Sequence, residues 1–174
     1  MNCYHVDQQQ RDAISRWKQS GKHLAWFGTP GWFLGHSRSL DQMESLTGFR
    51  FHIPPDETTP VRLPDSESTT QEWSIGPGAA PVATRAFGDW TSHYAAEPAI
   101  GSAGFRRLAE EAGVHCFAAA GDVLYANESL LVLHAADSGR REIRLPVTAN
   151  VVDLVKGTEW TSVARLAIQL EMAE

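Results

Sequence analysis

The spacing of apolar residues changes character after Gly113, and that change limits what this chain can fold into. Before Gly113, strand-like runs alternate with helix-like ones. After it, short strand-like runs follow one another with only turn residues between them. Alternating strands and helices favour a parallel sheet with right-handed crossovers, whereas successive short strands favour an antiparallel meander. In the front part, Asn2 to Val6 reads as a short strand. Asp7 with Gln10 three residues on is a capping-box signature that opens a helix over residues 7–20. Ala13, Ile14 and Trp17 form its apolar stripe, and Gly21 its stop. His23–Phe27 reads as a buried strand and leads into the turn Gly28-Thr29-Pro30-Gly31. Ser39 caps a second helix whose Leu40, Met43 and Leu46 face inward and which ends at Gly48. Phe49–Ile53 then alternates as a half-buried strand would.

Residues 54–71 are rich in Pro, Asp, Ser, Thr and Glu and read as a long surface loop. Strands follow at Trp73–Ile75 and Val82–Phe87, then a helix over 102–112 with Phe105, Leu108, Ala109 and Ala112 on one face and Gly113 as its cap. The last part offers β segments at Val123–Tyr125, Leu130–His134, Glu142–Leu145, Val151–Val155 and Val163–Leu170. The expected architecture is an α/β fold: a parallel sheet with flanking helices over residues 1–120. An antiparallel β segment over 121–174 is packed on it or forms a small appendage.

Composition narrows the function classes. Hydrophobic residues make up 43% of the 174, enough for a core, and six tryptophans favour a folded chain over a disordered one. A net charge of −6, with basic residues scattered and paired only at Arg106-Arg107 and Arg140-Arg141, argues against a nucleic-acid surface. No apolar run approaches the roughly 20 residues that span a bilayer, and the first residues lack the features of a signal peptide. Two cysteines, Cys3 and Cys116, make no disulfide framework, so a cytoplasmic setting is expected.

Five segments carry a resemblance: Gly88-Asp89-Trp90-Thr91-Ser92, Ala112-Gly113-Val114-His115, Gly121-Asp122-Val123-Leu124-Tyr125-Ala126-Asn127, Leu131-Val132-Leu133-His134-Ala135-Ala136 and Ile143-Arg144-Leu145-Pro146. In order and spacing they resemble the last part of the glutamine-amidotransferase-like (flavodoxin-like) accessory, trimerisation-type domain of bacterial β-galactosidase-like glycoside hydrolases. The resemblance implies a flavodoxin-like fold truncated at its front and an accessory or oligomerisation role without catalysis. It implies as partners a second copy of the chain or a glycoside hydrolase catalytic domain. A sheet truncated at residues 2–6 would leave apolar area open, with Trp17 and Trp26 as contributors to a symmetric dimer.

The resemblance also locates where a catalytic residue would stand. Class I glutamine amidotransferases carry their cysteine on a strand-to-helix turn of the form Gly-x-Cys-x-Gly, and the corresponding turn here is Gly28-Thr29-Pro30-Gly31. The thiol is absent, and Pro30 has no N–H to offer an oxyanion. No catalytic residue, cofactor or metal site is therefore expected. Cys3 and His5 share a strand face without further ligands at helpful spacing, and Cys116 reads as a small buried hydrophobe. Asp89 and Asp122 have ordinary roles open to them as turn formers after glycine, Asp153 within the meander and Glu97 before a proline. The candidate ligand-binding residues are Trp32, Phe33, Asp89, Trp90, His93 and Tyr94, placed by the pattern near the carboxyl ends of strands, where α/β sheets bind ligands. Their aromatic rings could stack on a sugar, which makes a small carbohydrate-binding module one alternative reading. A small hydrolase or transferase using Thr29, Asp89 or His93 is another.

Overall fold

The computed structural model describes residues 4–64, 69–75, 78–119 and 121–170, and within it the chain divides into two compact units, Met1–Phe105 and Arg106–Glu174. Unit 1 begins with α1 (Gln8–Lys18). Its capping box is complete, with Asp7 accepting from the Gln10 amide at 2.8 Å while the Gln10 side chain accepts from the Asp7 amide at 3.0 Å. Ile14 is its buried residue, but Trp17, expected in the apolar stripe, is 44% exposed. The strand expected at residues 2–6 reduces to one isolated parallel bridge between His5 and Phe33, and residues 1–3 lie outside the described residues.

After β1 (His23–Phe27) come the small hairpin β2 (Phe33–Leu34) and β3 (Ser37–Arg38), then α2 (Leu40–Thr47). Ser39 caps α2 through a 3.2 Å bond from the Gln42 amide, and Gly48 ends it in the left-handed conformation. Met43 and Leu46 are buried as their spacing predicts. The short pair β4 (Phe51–His52) and β5 (Val61–Arg62) follows, so the expected surface loop contains a strand. Then come β6 (Gln71–Trp73), β7 (Val82–Phe87), β8 (Trp90–Ala95) and α3 (Gly101–Glu111), the last of which begins in unit 1.

The parallel flavodoxin-like sheet is not what forms. The principal sheet has the order β1-β8-β7-β6, and its one parallel pair is β1 with β8. Both β7–β8 and β6–β7 are antiparallel, and strand exceeds helix 39% to 19%. The physical reason lies at Gly88-Asp89. This pair is a two-residue hairpin turn, with Gly88 at φ +39°, that sends Trp90–Ala95 straight back along Val82–Phe87. The strand Trp90–Ala95 is not among the elements expected from the sequence. The core gathers Val6, Ile14, Trp26, Trp32, Met43, Leu46, Phe49, Phe51, Ala83 and Tyr94, so Trp26, at 2% exposure, belongs to it.

Unit 2 consists of the rest of α3 and two hairpins: β9 (Val123–Ala126) with β10 (Leu131–His134), and β11 (Gly139–Val152) with β12 (Glu159–Leu170). The two segments expected at Glu142–Leu145 and Val151–Val155 are one strand as far as Val152, with a turn after it. These hairpins are separate two-stranded sheets and do not join into one meander. The long hairpin is kinked by register shifts around Ala149, near where Ser162 adopts φ +52° and its amide donates to Asn150 Oδ1 at 2.9 Å. Among the described residues of this unit, the buried hydrophobics are Leu108, Ile143 and Leu166, the last two directly opposite each other across the hairpin.

Candidate functional site

The sequence Thr29-Pro30-Gly31-Trp32 is suited to a tight turn because proline presets the first central dihedral and glycine accepts a positive φ at the second. The Trp32 amide donates to the Thr29 carbonyl at 3.3 Å, and Gly31 sits at φ +70°. A Cβ on Gly31 would stand 2.3 Å from Leu46 Cδ1, so this turn lies directly on α2. Beyond it, the two-residue turn Gly35-His36 folds β3 back on β2 and sets Arg38 opposite Phe33. The Arg38 guanidinium lies 5.8 Å from the centroid of the Trp32 ring, and Trp32 meets Phe33 edge-on at 6.3 Å.

These local features border a cavity of about 390 Å³. Its aromatic wall is Tyr4, Trp32, Phe33 and Tyr94, and its hydroxyls are those of Thr29, Thr58 and Thr59. Among the described residues, its lining holds one cation, Arg38, and no carboxylate. Thr29 is 7% exposed, and the buried side-chain polar atom left without a hydrogen-bond partner among the described residues is Trp26 Nε1. The Tyr94 hydroxyl donates to the Gly28 carbonyl at 2.9 Å. Burial pushes the Tyr94 phenol up to about 12, a rise that the nearby Arg62 charge opposes, so near neutral pH it stays an uncharged donor.

Three of the six sequence candidates, Trp32, Phe33 and Tyr94, therefore meet at one cavity. His93 lies elsewhere, at 2% exposure, in a chain of polar side chains drawn one from each strand of the sheet. The Trp73 indole N–H donates to Thr84 Oγ1 at 2.9 Å, Thr84 Oγ1 is 2.9 Å from His93 Nδ1, and His93 Nε2 is 3.0 Å from His23 Nδ1. The two imidazoles are stacked at 5.2 Å. Their contact has room for one hydrogen, since two imidazoliums would set N–H against N–H.

Asp89 and Trp90 stand at the β7–β8 turn. Asp89 is exposed, while Trp90 stacks on Phe87 at 4.8 Å and carries Lys18 Nζ 4.3 Å from its ring centroid. Burial lowers Lys18 to about 8. Arg85 lies over Phe87 at 4.8 Å, so these rings and cations form one packed array.

The remaining chemistry-bearing residues have structural roles. Asp122 accepts from the Arg141 guanidinium and from the Ala136 amide, and those bonds hold its carboxyl below the usual range. Asp153 accepts from the Val155 and Lys156 amides and closes the long hairpin's turn. Cys116, expected to be buried, is half-buried with Sγ 3.7 Å from the Val114 carbonyl. Among the described residues no three His, Cys, Asp or Glu side chains could hold a metal, and Cys3 lies outside them. Nor is any helix among them long and apolar enough to cross a membrane.

Sequence reasoning missed Tyr4, Arg38, Thr58 and Thr59 as cavity residues. Arg38 had a usable signal: Gly35-His36 between Phe33-Leu34 and Ser37-Arg38 is a short hairpin pattern that aligns Arg38 with Phe33. Tyr4, Thr58 and Thr59 had none, because they reach the cavity through tertiary packing. No family model, curated protein or solved structure matches this chain.

Proposed function

We propose that this chain is a non-catalytic binding module whose cavity in unit 1 takes a small carbohydrate. One observation carries the reading: Tyr4, Trp32, Phe33 and Tyr94 line one cavity together with Thr29, Thr58 and Thr59, and its lining holds no carboxylate among the described residues. A sugar ring offers apolar faces to aromatic side chains and hydroxyls to polar ones. Glycoside hydrolysis needs a pair of carboxyl groups across the bond to be cleaved, so this lining suits holding a sugar and not cutting it. The volume lies toward the small end of the roughly 300–1,000 Å³ common for small-molecule sites, which fits one or two sugar rings. Calorimetric titration with a panel of mono- and disaccharides, beside a Trp32→Ala variant, tests the reading. Binding that Trp32→Ala weakens at least tenfold supports it, and no heat with any sugar removes it.

In a second reading, an accessory or oligomerisation role in a glycoside hydrolase system, the oligomerisation part is supported by a separate observation in unit 2. On the β9–β10 hairpin, Val123 and Tyr125 share a face with Val132, and these side chains are 48%, 68% and 47% exposed. At the far end of the long hairpin, Leu154 and Val155 are 79% and 93% exposed. Exposed apolar side chains sharing a face, as Val123, Tyr125 and Val132 do, are typical of interfaces. Light scattering checks it. An assembly dissociated by Tyr125→Lys supports the role, and a monomer at high micromolar concentration counts against it.

A further inference from the structure

We infer that the ligand of this cavity is an acidic sugar, a uronate whose carboxylate is taken by Arg38 while its ring lies among Trp32, Phe33 and the threonines. The inference rests on the carbohydrate-binding reading and adds the ligand's charge. Arg38 is exposed and has no ion pair or hydrogen bond among the described residues; its guanidinium lies 5.8 Å from the centroid of the Trp32 ring. A guanidinium beside an indole, with no other partner, has its planar fork of N–H donors available to match the two oxygens of a carboxylate. The lining supplies no competing acid among the described residues, and Tyr94 stays neutral.

This local sign runs against a chain whose net charge is −6, so the cavity departs from its surroundings in the direction an anion requires. With one cation in the lining among the described residues, the charge count favours a monoanionic carboxylate over a phosphate dianion. Thr58 and Thr59 offer hydroxyls at the exposed rim.

The test is calorimetric titration of the intact chain at low and at 0.5 M salt. The ligands are glucuronate and galacturonate, glucose and galactose, their 6-phosphates, and acetate. The expected result is uronate binding at least tenfold tighter than the matching neutral sugar, with the preference shrinking in high salt. In Arg38→Ala the preference disappears while neutral sugars still bind. In Arg38→Lys, which keeps the charge but loses the fork, part of the preference remains. Circular dichroism of both variants confirms that the fold survives. Equal affinity for uronate and neutral sugar overturns the inference and leaves the carbohydrate reading standing. Tighter binding of the 6-phosphates overturns the carboxylate assignment, and the absence of binding by every sugar overturns both readings.

Discussion

Replacing Gly31 with alanine tests whether the Thr29–Trp32 turn is fixed against α2 as its geometry implies. Two costs apply. A residue with a Cβ at φ +70° loses about 1–2 kcal/mol through its clash with the following carbonyl. The new methyl would also stand 2.3 Å from Leu46 Cδ1, with Gln42 atoms at 3.1 and 3.2 Å. Leu46 is 3% exposed and has little room to retreat, so overpacking adds about 1–3 kcal/mol. The expected total is about 2–5 kcal/mol, a large share of the roughly 5–15 kcal/mol of a typical domain. Gly35→Ala is the control. Its φ is +62° and an added methyl there would meet nothing within 4 Å, so only the backbone cost applies. Urea unfolding, monitored by tryptophan fluorescence, measures both, with a constant m-value confirming that the denatured state is unchanged. Combining Gly31→Ala with Leu46→Ala should give a loss smaller than the sum of the single losses, because truncation removes the obstacle. If Gly31→Ala costs no more than Gly35→Ala, or if the double variant is strictly additive, the turn does not bear on α2 as described.

Other expectations follow from individual groups. Lys18 is lowered to about 8 in the folded chain from an ordinary 10.5, so between those values the unfolded chain binds more protons and stability should rise with pH. That rise should vanish in Lys18→Met, and an unchanged slope in urea titrations across this window would contradict the burial of the ammonium. Asp122 runs the opposite way. Its carboxyl is held below the ordinary 3.8, so its contribution is full above that value and is lost as pH falls through the folded pKa; Asp122→Asn should flatten the acid limb of the stability curve. His93→Ala should cost about 2–4 kcal/mol by thermal unfolding, from the cavity left and the hydrogen bonds to Thr84 and His23 lost.

The local elements were legible because their signals are local. Asp7 with Gln10, Ser39 with Gly48, and the apolar spacing of Met43 and Leu46 each declare themselves within a few residues. What the sequence hid was pairing. His23–Phe27 was readable as a strand, but its parallel partner lies at Trp90–Ala95, and nothing near either segment announces the other. The expectation of a parallel sheet rested on element order alone, and one unrecognised turn at Gly88-Asp89 was enough to reverse strand directions. The site divides in the same manner. Trp32, Phe33 and Tyr94 stood out as aromatics beside glycine-rich turns, whereas His93 and Trp90 share those surroundings and are engaged in internal packing. Only the three-dimensional path of the chain separates an aromatic that borders a cavity from one that closes a stack.

The four-strand polar chain has a consequence for the order in which the sheet assembles. β7 and β8 are joined by a two-residue turn and β6 is close in sequence, so these three strands can zip together through short loop closures. β1 has no such tether to β8 and must find it across more than sixty intervening positions, at a greater entropic cost. A slip of one residue in that late docking would turn His23 to the opposite face, away from His93. The histidine pair is thus placed to act as a checkpoint, rewarding the correct arrival of the last strand. In refolding experiments, His23→Ala should slow or blur this final step more than it disturbs the hairpins formed before it.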